Sequence, residues 1–387
     1  MLRYPMNNLR SLVLGVLIGS ALASSAGAQS VPVALPPGGT PSAGPGRGQF
    51  RAPAPDTTLG LPPTISAGAQ VEKLAVLPTE PYTVDGKPFT EGATCAPNGD
   101  VYFIEQNSSK ILRWNVADRK LSVFMHPSGY ANGMCFDYQG NLIACADERN
   151  ELWSISIKDT ETVPYPLPLN PAVGDPARPA QITVPTHTVL VKGYQGKLLG
   201  GPNDVWVRPD GGMYLTDPFY ARKWWAPGRQ QEQDMRTVYF LSPDHKTLTR
   251  VIDVFDSPNG RNGTPNGIAG TPDGKTLYVS DISGGQTWAF AIHEDGSLTD
   301  KRLVCRFGSD GMTLDDQGNL YMSVGGGRPG GVTVVDTKTG KQIGYIPMPE
   351  SPANMCFGGS DRQTLYITAR TGFYCIATNV KGANPGK

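Results

Sequence analysis

The 387 residues include 47 Gly and 35 Pro, with aromatic side chains at only 9%, a composition that suits many short strands joined by turns better than a set of long helices. Thirty-four basic residues balance thirty-four acidic ones and the four His are scattered, which argues against a nucleic-acid surface, where a basic excess or stripe is required. Length alone would allow two average domains, but an all-β fold can absorb it as one unit.

In chain order, Arg3 and Arg10 precede an apolar run from Ser11 to Ala23 and then Ala26-Gly27-Ala28. This pattern predicts a secretory signal peptide over residues 1–28, cut after Ala28, and a periplasmic or secreted protein. The apolar run is short for a membrane span, so no stable span is expected once the signal is removed. Residues 29–70 are rich in Pro, Gly, Ala and Ser and read as a linker or flexible arm. Globular character begins near Val71, where Val71, Leu74, Val76 and Leu77 predict a first strand, placed to complete the last unit of a closed ring.

From there the chain repeats itself. Glu91, Asn132, Asn203, Asn266, Asp310 and Asn354 each open a strand-like run, and a second run marked by Tyr102, Ile143, Tyr214, Tyr278, Tyr321 and Tyr366 follows after 11, 11, 11, 12, 11 and 12 residues. After the openers, apolar positions alternate, as in Met134 and Phe136 or Val205 and Val207, the signature of a half-buried strand. Between the two runs lie turns such as Pro97-Asn98-Gly99, Pro209-Asp210-Gly211-Gly212 and Asp316-Gln317-Gly318-Asn319, which supply Gly, Asn and Asp where tight hairpins need positive φ. Further short strands such as Ile111-Leu-Arg-Trp complete each unit. Six units of four strands predict an all-β, six-bladed β-propeller over 71–380, with the openers around a central metal-binding channel.

Two insertions break the rhythm: 159–188, which is Pro-rich, and 221–235, which contains Trp224 and Trp225. The second is expected to form a rim or lid element, or else packing or an oligomer contact. The six Cys show no C-x-x-C spacing and read as buried strand thiols, with Cys135 and Cys145 flanking a turn where they could face one another. His126 reads as a solvated loop residue near the rim, Gly325-Gly-Gly-Arg-Pro-Gly330 as a turn ahead of a strand, and Gly270 to Thr276 as a hairpin.

Glu91, Asn203, Asn266 and Asp310 offer oxygen donors, which Ca²⁺ or Mg²⁺ prefers, and their two carboxylates would balance a divalent charge. Any one alone reads as an ordinary strand-entry residue; recurrence in register makes a site. The segments Phe89-Thr-Glu91-Gly, Gly201-Pro-Asn203-Asp-Val-Trp-Val-Arg-Pro-Asp-Gly-Gly-Met-Tyr-Leu-Thr-Asp217-Pro, Thr264-Pro-Asn266-Gly and Gly308-Ser-Asp310-Gly-Met, with the closing run from Asn354, resemble the gluconolactonase and regucalcin (senescence marker protein) family from about Val71 to Thr378. The resemblance implies that Glu91, Asn266 and Asp310 ligate the metal and that Asn203 contacts substrate and, in some relatives, the metal. It also implies that Asp310 is the acid/base residue. Asn132, Asn203 and Tyr220 are the expected substrate contacts, and Asn354 a channel-lining residue. Sugar-lactone members of the regucalcin type carry an Arg two residues before the Asn of P-N-D, where this chain has Gly201, so the substrate stays open. The resulting expectation is an exported hydrolase opening a small lactone or ester with Ca²⁺, or with another divalent ion such as Mg²⁺, Zn²⁺ or Mn²⁺. The alternatives are a phosphotriesterase-like hydrolase on the same site and a non-catalytic propeller that binds a protein or carbohydrate.

Overall fold

Each opener is followed by a hairpin whose glycine takes positive φ, as at Gly99 (φ 90°) and Gly318 (φ 86°), so the second strand folds back antiparallel onto the first. In the computed structural model, which describes residues 54–253, 255, 257, 262–324 and 330–383, this unit recurs around a ring. Among the described residues twenty-four strands form six four-stranded sheets, five of them in consecutive order. The sixth sheet is closed by the N-terminal strand Glu72–Val76, which pairs with Gly372–Ala377. A strand from one end of the sequence thus locks the blade made by the other.

The strands at the channel are Thr90–Cys95, Ala131–Phe136, Val205–Val207, Pro265–Gly270, Met312–Leu314 and Pro352–Gly358. Their apolar side chains interleave between neighbouring blades: Met134 and Phe136 of the second blade pack with Tyr102 and Ile104 of the first. The core is therefore a ring of apolar inter-blade layers and not one central cluster.

Composition misread three places. Residues 54–70 do not behave as a linker: Gly60 O accepts from Tyr345 N at 2.8 Å, Thr64 Oγ1 accepts from Tyr321 Oη at 2.5 Å, and Ile65 is buried among Tyr321, Val332 and Ile367. Small and Pro-rich residues suit an arm lying in the groove between two blades as well as they suit a free chain. Cys135 pairs in register with Ile143 and Cys145 with Leu152, so the two do not face each other, and all six cysteines are buried, as expected of strand thiols. His126 is half-buried, stacks on Tyr82 at 5.5 Å and lies 3.4 Å from both Asp175 Oδ2 and Tyr165 Oη of the first insertion. The expected signal peptide 1–28, residues 29–53 of the arm and residues 325–329 of the glycine-rich turn lie outside the described residues. No helix among the described residues is long and apolar enough to cross a membrane.

Candidate functional site

What aims the openers at the channel is a shared irregularity. The innermost strand carries one extra residue relative to its partner between Glu91 and Thr94, Ala131 and Met134, Pro265 and Ile268, and Pro352 and Asn354. A bulge of this kind bends the strand and re-aims the side chain beside it. The residue after the opener is Gly in four blades, and each of these glycines abuts the next opener. A Cβ on Gly133 would lie 2.5 Å from Asn203 O, and one on Gly267 would lie 2.7 Å from Asp310 O. Gly92 and Gly311 press in the same way on Asn132 and Asn354. The backbone closes the approach, with Gly133 N donating to Asn203 O at 2.6 Å.

The floor of the channel gathers the residues singled out by sequence. Glu91, Asn132, Asn203, Asn266 and Asn354 are buried and Asp310 is half-buried. Asn266 Nδ2 donates to Asp310 Oδ1 at 2.9 Å and to Tyr220 Oη at 3.0 Å. With its nitrogen committed, Asn266 Oδ1 is left buried and without a partner. Glu91 Oε2 accepts from Gly92 N at 2.7 Å, and the Asn354 side chain also hydrogen-bonds Glu91, which joins the last blade to the first. The carboxamides of Asn132 and Asn203 have no hydrogen-bond partner among the described residues. Burial, and then the charges of Asp310 and Asp204, push the Glu91 carboxyl well above the usual range. Burial likewise raises Asp310, against the pull of Asn266 and the Arg222 and Arg370 guanidinium groups.

These groups fit a hard cation. Among the described residues no group of three or more His, Cys, Asp or Glu side chains is arranged as a metal site; the floor is a mixed carboxylate and carboxamide set. Its orphaned Asn266 oxygen and its crowded, desolvated carboxyls are what an oxygen-seeking divalent ion would relieve.

A second acidic ring was missed in reading the sequence. Glu105, Asp217 and Asp281 end, and Asp147 directly follows, the second strand of the first four blades, 14 or 15 residues after the opener, a periodicity that was there to be seen. Three of them hold the loop leading into the opener: Glu105 accepts from Phe89 N, Asp217 from Gly200 N and Asp281 from Thr264 N, at 3.1, 2.8 and 2.8 Å. Asp147 departs from the pattern. Its Oδ2 accepts from Arg222 Nε at 2.7 Å and its backbone oxygen from Trp225 Nε1 at 2.5 Å, so it anchors the second insertion.

That insertion forms the rim. Trp224 and Trp225 are buried, and Trp224 stacks on Tyr130 with centroids 4.6 Å apart. The first insertion extends the strands Glu151–Pro164 and Gln181–Val191, and its tip meets the second through Asn170 Nδ2 to Lys223 O (2.7 Å), while Tyr130, stacked on Trp224, donates from Oη to Val173 O (3.1 Å). A side chain at Gly201 has no room: its Cβ would lie 2.8 Å from Asp147 Oδ1 and 3.2 Å from the Trp225 ring. A cavity of about 1280 Å³ is lined by Phe89, Gln106, Arg222, Trp224, Ser351 and Arg370 among others.

Comparison with known proteins bears on what such a channel does. Residues 89–371 match the SMP-30/Gluconolactonase/LRE-like region. The chain is similar to a gluconolactonase of Zymomonas mobilis, at 26% identity over 311 residues, 76% of this chain and 80% of that one. A solved Xanthomonas campestris gluconolactonase superposes with a TM-score of 0.63 at 26% identity, covering 82% of this chain and 95% of the other. A calcium-binding regucalcin from Agrobacterium tumefaciens shares the fold, with a TM-score of 0.55 at 17% identity over 79% of this chain and 94% of the other.

Proposed function

The chain belongs to the SMP-30/gluconolactonase/LRE-like family, and on that footing we propose that it is an exported, divalent-cation-dependent lactonase acting on a small lactone. The observation that carries this reading is the floor: a buried, unpartnered Asn266 oxygen beside Asp310, with Glu91 held against Asn354 where the first and last blades meet. Glu91, Asn266 and Asp310, with Asn203, would hold the cation, Ca²⁺ by its taste for oxygen donors, and the ion would supply polarisation of the lactone carbonyl.

The rest falls to the side chains. Asp310 Oδ1 is fixed by Asn266 Nδ2, which leaves the other carboxylate oxygen to orient a water molecule and accept its proton. Tyr220, itself tied to Asn266, walls the space above the floor, and the unpartnered carboxamides of Asn132 and Asn203 offer hydrogen bonds to ring oxygens or hydroxyls. The buried rim keeps the site partly dry, which strengthens each of these contacts.

The test is hydrolysis of a lactone panel by the purified protein, with and without chelator, and by Asp310→Ala. Chelation is expected to abolish turnover, and Asp310→Ala to lower kcat by about 10³-fold with the circular dichroism unchanged. Turnover that survives both treatments sinks the proposal. A protein stabilised by Ca²⁺ that turns over no lactone would support a binding propeller instead. Export is checked separately: the mature protein recovered outside the cytoplasm should begin at Gln29.

A further inference from the structure

We propose that Arg222 is a substrate-recognition residue whose guanidinium takes an ionised carboxylate or phosphate carried by the lactone, so that the preferred substrates are anion-bearing lactones; this rests on the lactonase reading above. Arg222 lies in the cavity wall, in the second insertion. Its Nε is committed to Asp147, which is fully buried behind it, and the rings of Tyr220 and Trp224 flank the guanidinium at 5.2 and 5.3 Å. Among the described residues neither Nη has a hydrogen-bond partner. A guanidinium pinned through Nε and held between rings presents its remaining N–H groups as a planar pair, which matches two oxygens of a carboxylate or phosphate.

The surroundings favour an anion over a neutral polyol. The wall carries Lys87, Arg222, Lys223 and Arg370 against two carboxylates, Asp85 and Glu350. Both carboxylates are engaged, Asp85 with Lys223 and Glu350 with Thr371 N, Thr371 Oγ1 and Tyr374 Oη. The neutral amides face the backbone: Gln106 Nε2 donates to Tyr130 O and Asn107 Nδ2 to Lys87 O. With Asp147 counted behind Arg222, the four cations still exceed the three carboxylates by one, and a mouth of that sign draws anions toward a site that would otherwise repel them. One tyrosine ring, Tyr220, connects this guanidinium to Asn266 on the floor, so the anionic group and the reacting carbonyl fall within one sugar-sized molecule.

The experiment compares kcat/KM for D-glucono-1,5-lactone with that for its 6-phosphate and for a glucaric acid monolactone, in the Ca²⁺-loaded protein. The anion-bearing lactones are expected to lead by about tenfold or more, with the lead shrinking as salt is raised. Arg222→Gln is made together with Asp147→Asn, so that no buried carboxylate loses its cation; this pair should bring the preference close to unity, while Arg222→Lys retains part of it. The phosphate and carboxylate arms show which anion is read. Equal kcat/KM for neutral and charged lactones in the wild type overturns the proposal, as does an equal loss on both in the double variant. Calorimetric binding of D-glucitol 6-phosphate against the neutral D-glucitol checks the same preference without catalysis. If no lactone is turned over, the lactonase reading fails, yet tighter binding of the phosphate that disappears in the double variant still supports the Arg222 site, and equal binding removes it.

Discussion

The channel floor and its mouth are built in opposite ways. Floor residues come one from each blade, from corresponding positions beside a bulge or strand entry, and each is braced by the neighbouring blade. The mouth is walled by the second insertion together with the loops around Lys87, Glu350 and Arg370, and the insertion is held by a stacked Tyr130–Trp224 pair and a buried Asp147–Arg222 ion pair and backed by the first insertion through Asn170. Repetition therefore places the chemistry, while the insertions decide what can reach it. A fault in the floor should spread around the ring. One in the rim should stay local.

Trp224→Ala tests that independence most severely. Removing a buried, stacked indole costs about 3 kcal/mol or more where the site cannot collapse, and here the loss should fall on the rim. KM for the lactone is expected to rise and limited proteolysis to cut within 165–180, with the Ca²⁺-induced rise in Tm preserved. If the Ca²⁺ response is lost as well, floor and mouth are one unit. Gly133→Ala attacks the other side. Its Cβ would meet backbone atoms of Asn203 and Asp204, and such overpacking costs about 1–3 kcal/mol; a calcium titration followed by Tm should show weaker binding.

A smaller effect separates the second acidic ring from the floor. Burial pushes Asp217 up to about 7, so between pH about 4, where the unfolded carboxyl titrates, and that value the folded protein holds a proton the unfolded chain has released. The sign follows: stability from this group is present at low pH and is lost as the pH rises through the folded value. Asp217→Asn keeps an acceptor for Gly200 N without ionising, and the fall in Tm from pH 5 to pH 8 should be shallower than in the wild type. Smallest of all is the response to reductant. With all six cysteines buried and Cys135 and Cys145 out of register with each other, dithiothreitol should leave Tm within about 1 °C, and a larger drop would mean that blades are cross-linked.

Much of this molecule was legible in one dimension. The near-constant spacing from opener to second strand, the hairpin glycines and the alternating apolar positions determined a six-bladed ring and named Glu91, Asn203, Asn266 and Asp310, because strand periodicity and turn stereochemistry are local properties of the chain. The same spacing held the second acidic ring, which no motif announced. What only the tertiary structure decided was contact between distant segments: the arm at 54–70 lying on the last two blades, Asn354 meeting Glu91 across the closure, and the two insertions meeting through Asn170 and Lys223. Gly201 shows the limit most clearly. In sequence it is a missing side chain, whereas in space it is room taken by Trp225 beside an aspartate that holds Arg222. Local preferences repeat along a chain and can be counted; which long-range neighbour fills a given volume depends on packing that only the folded backbone defines.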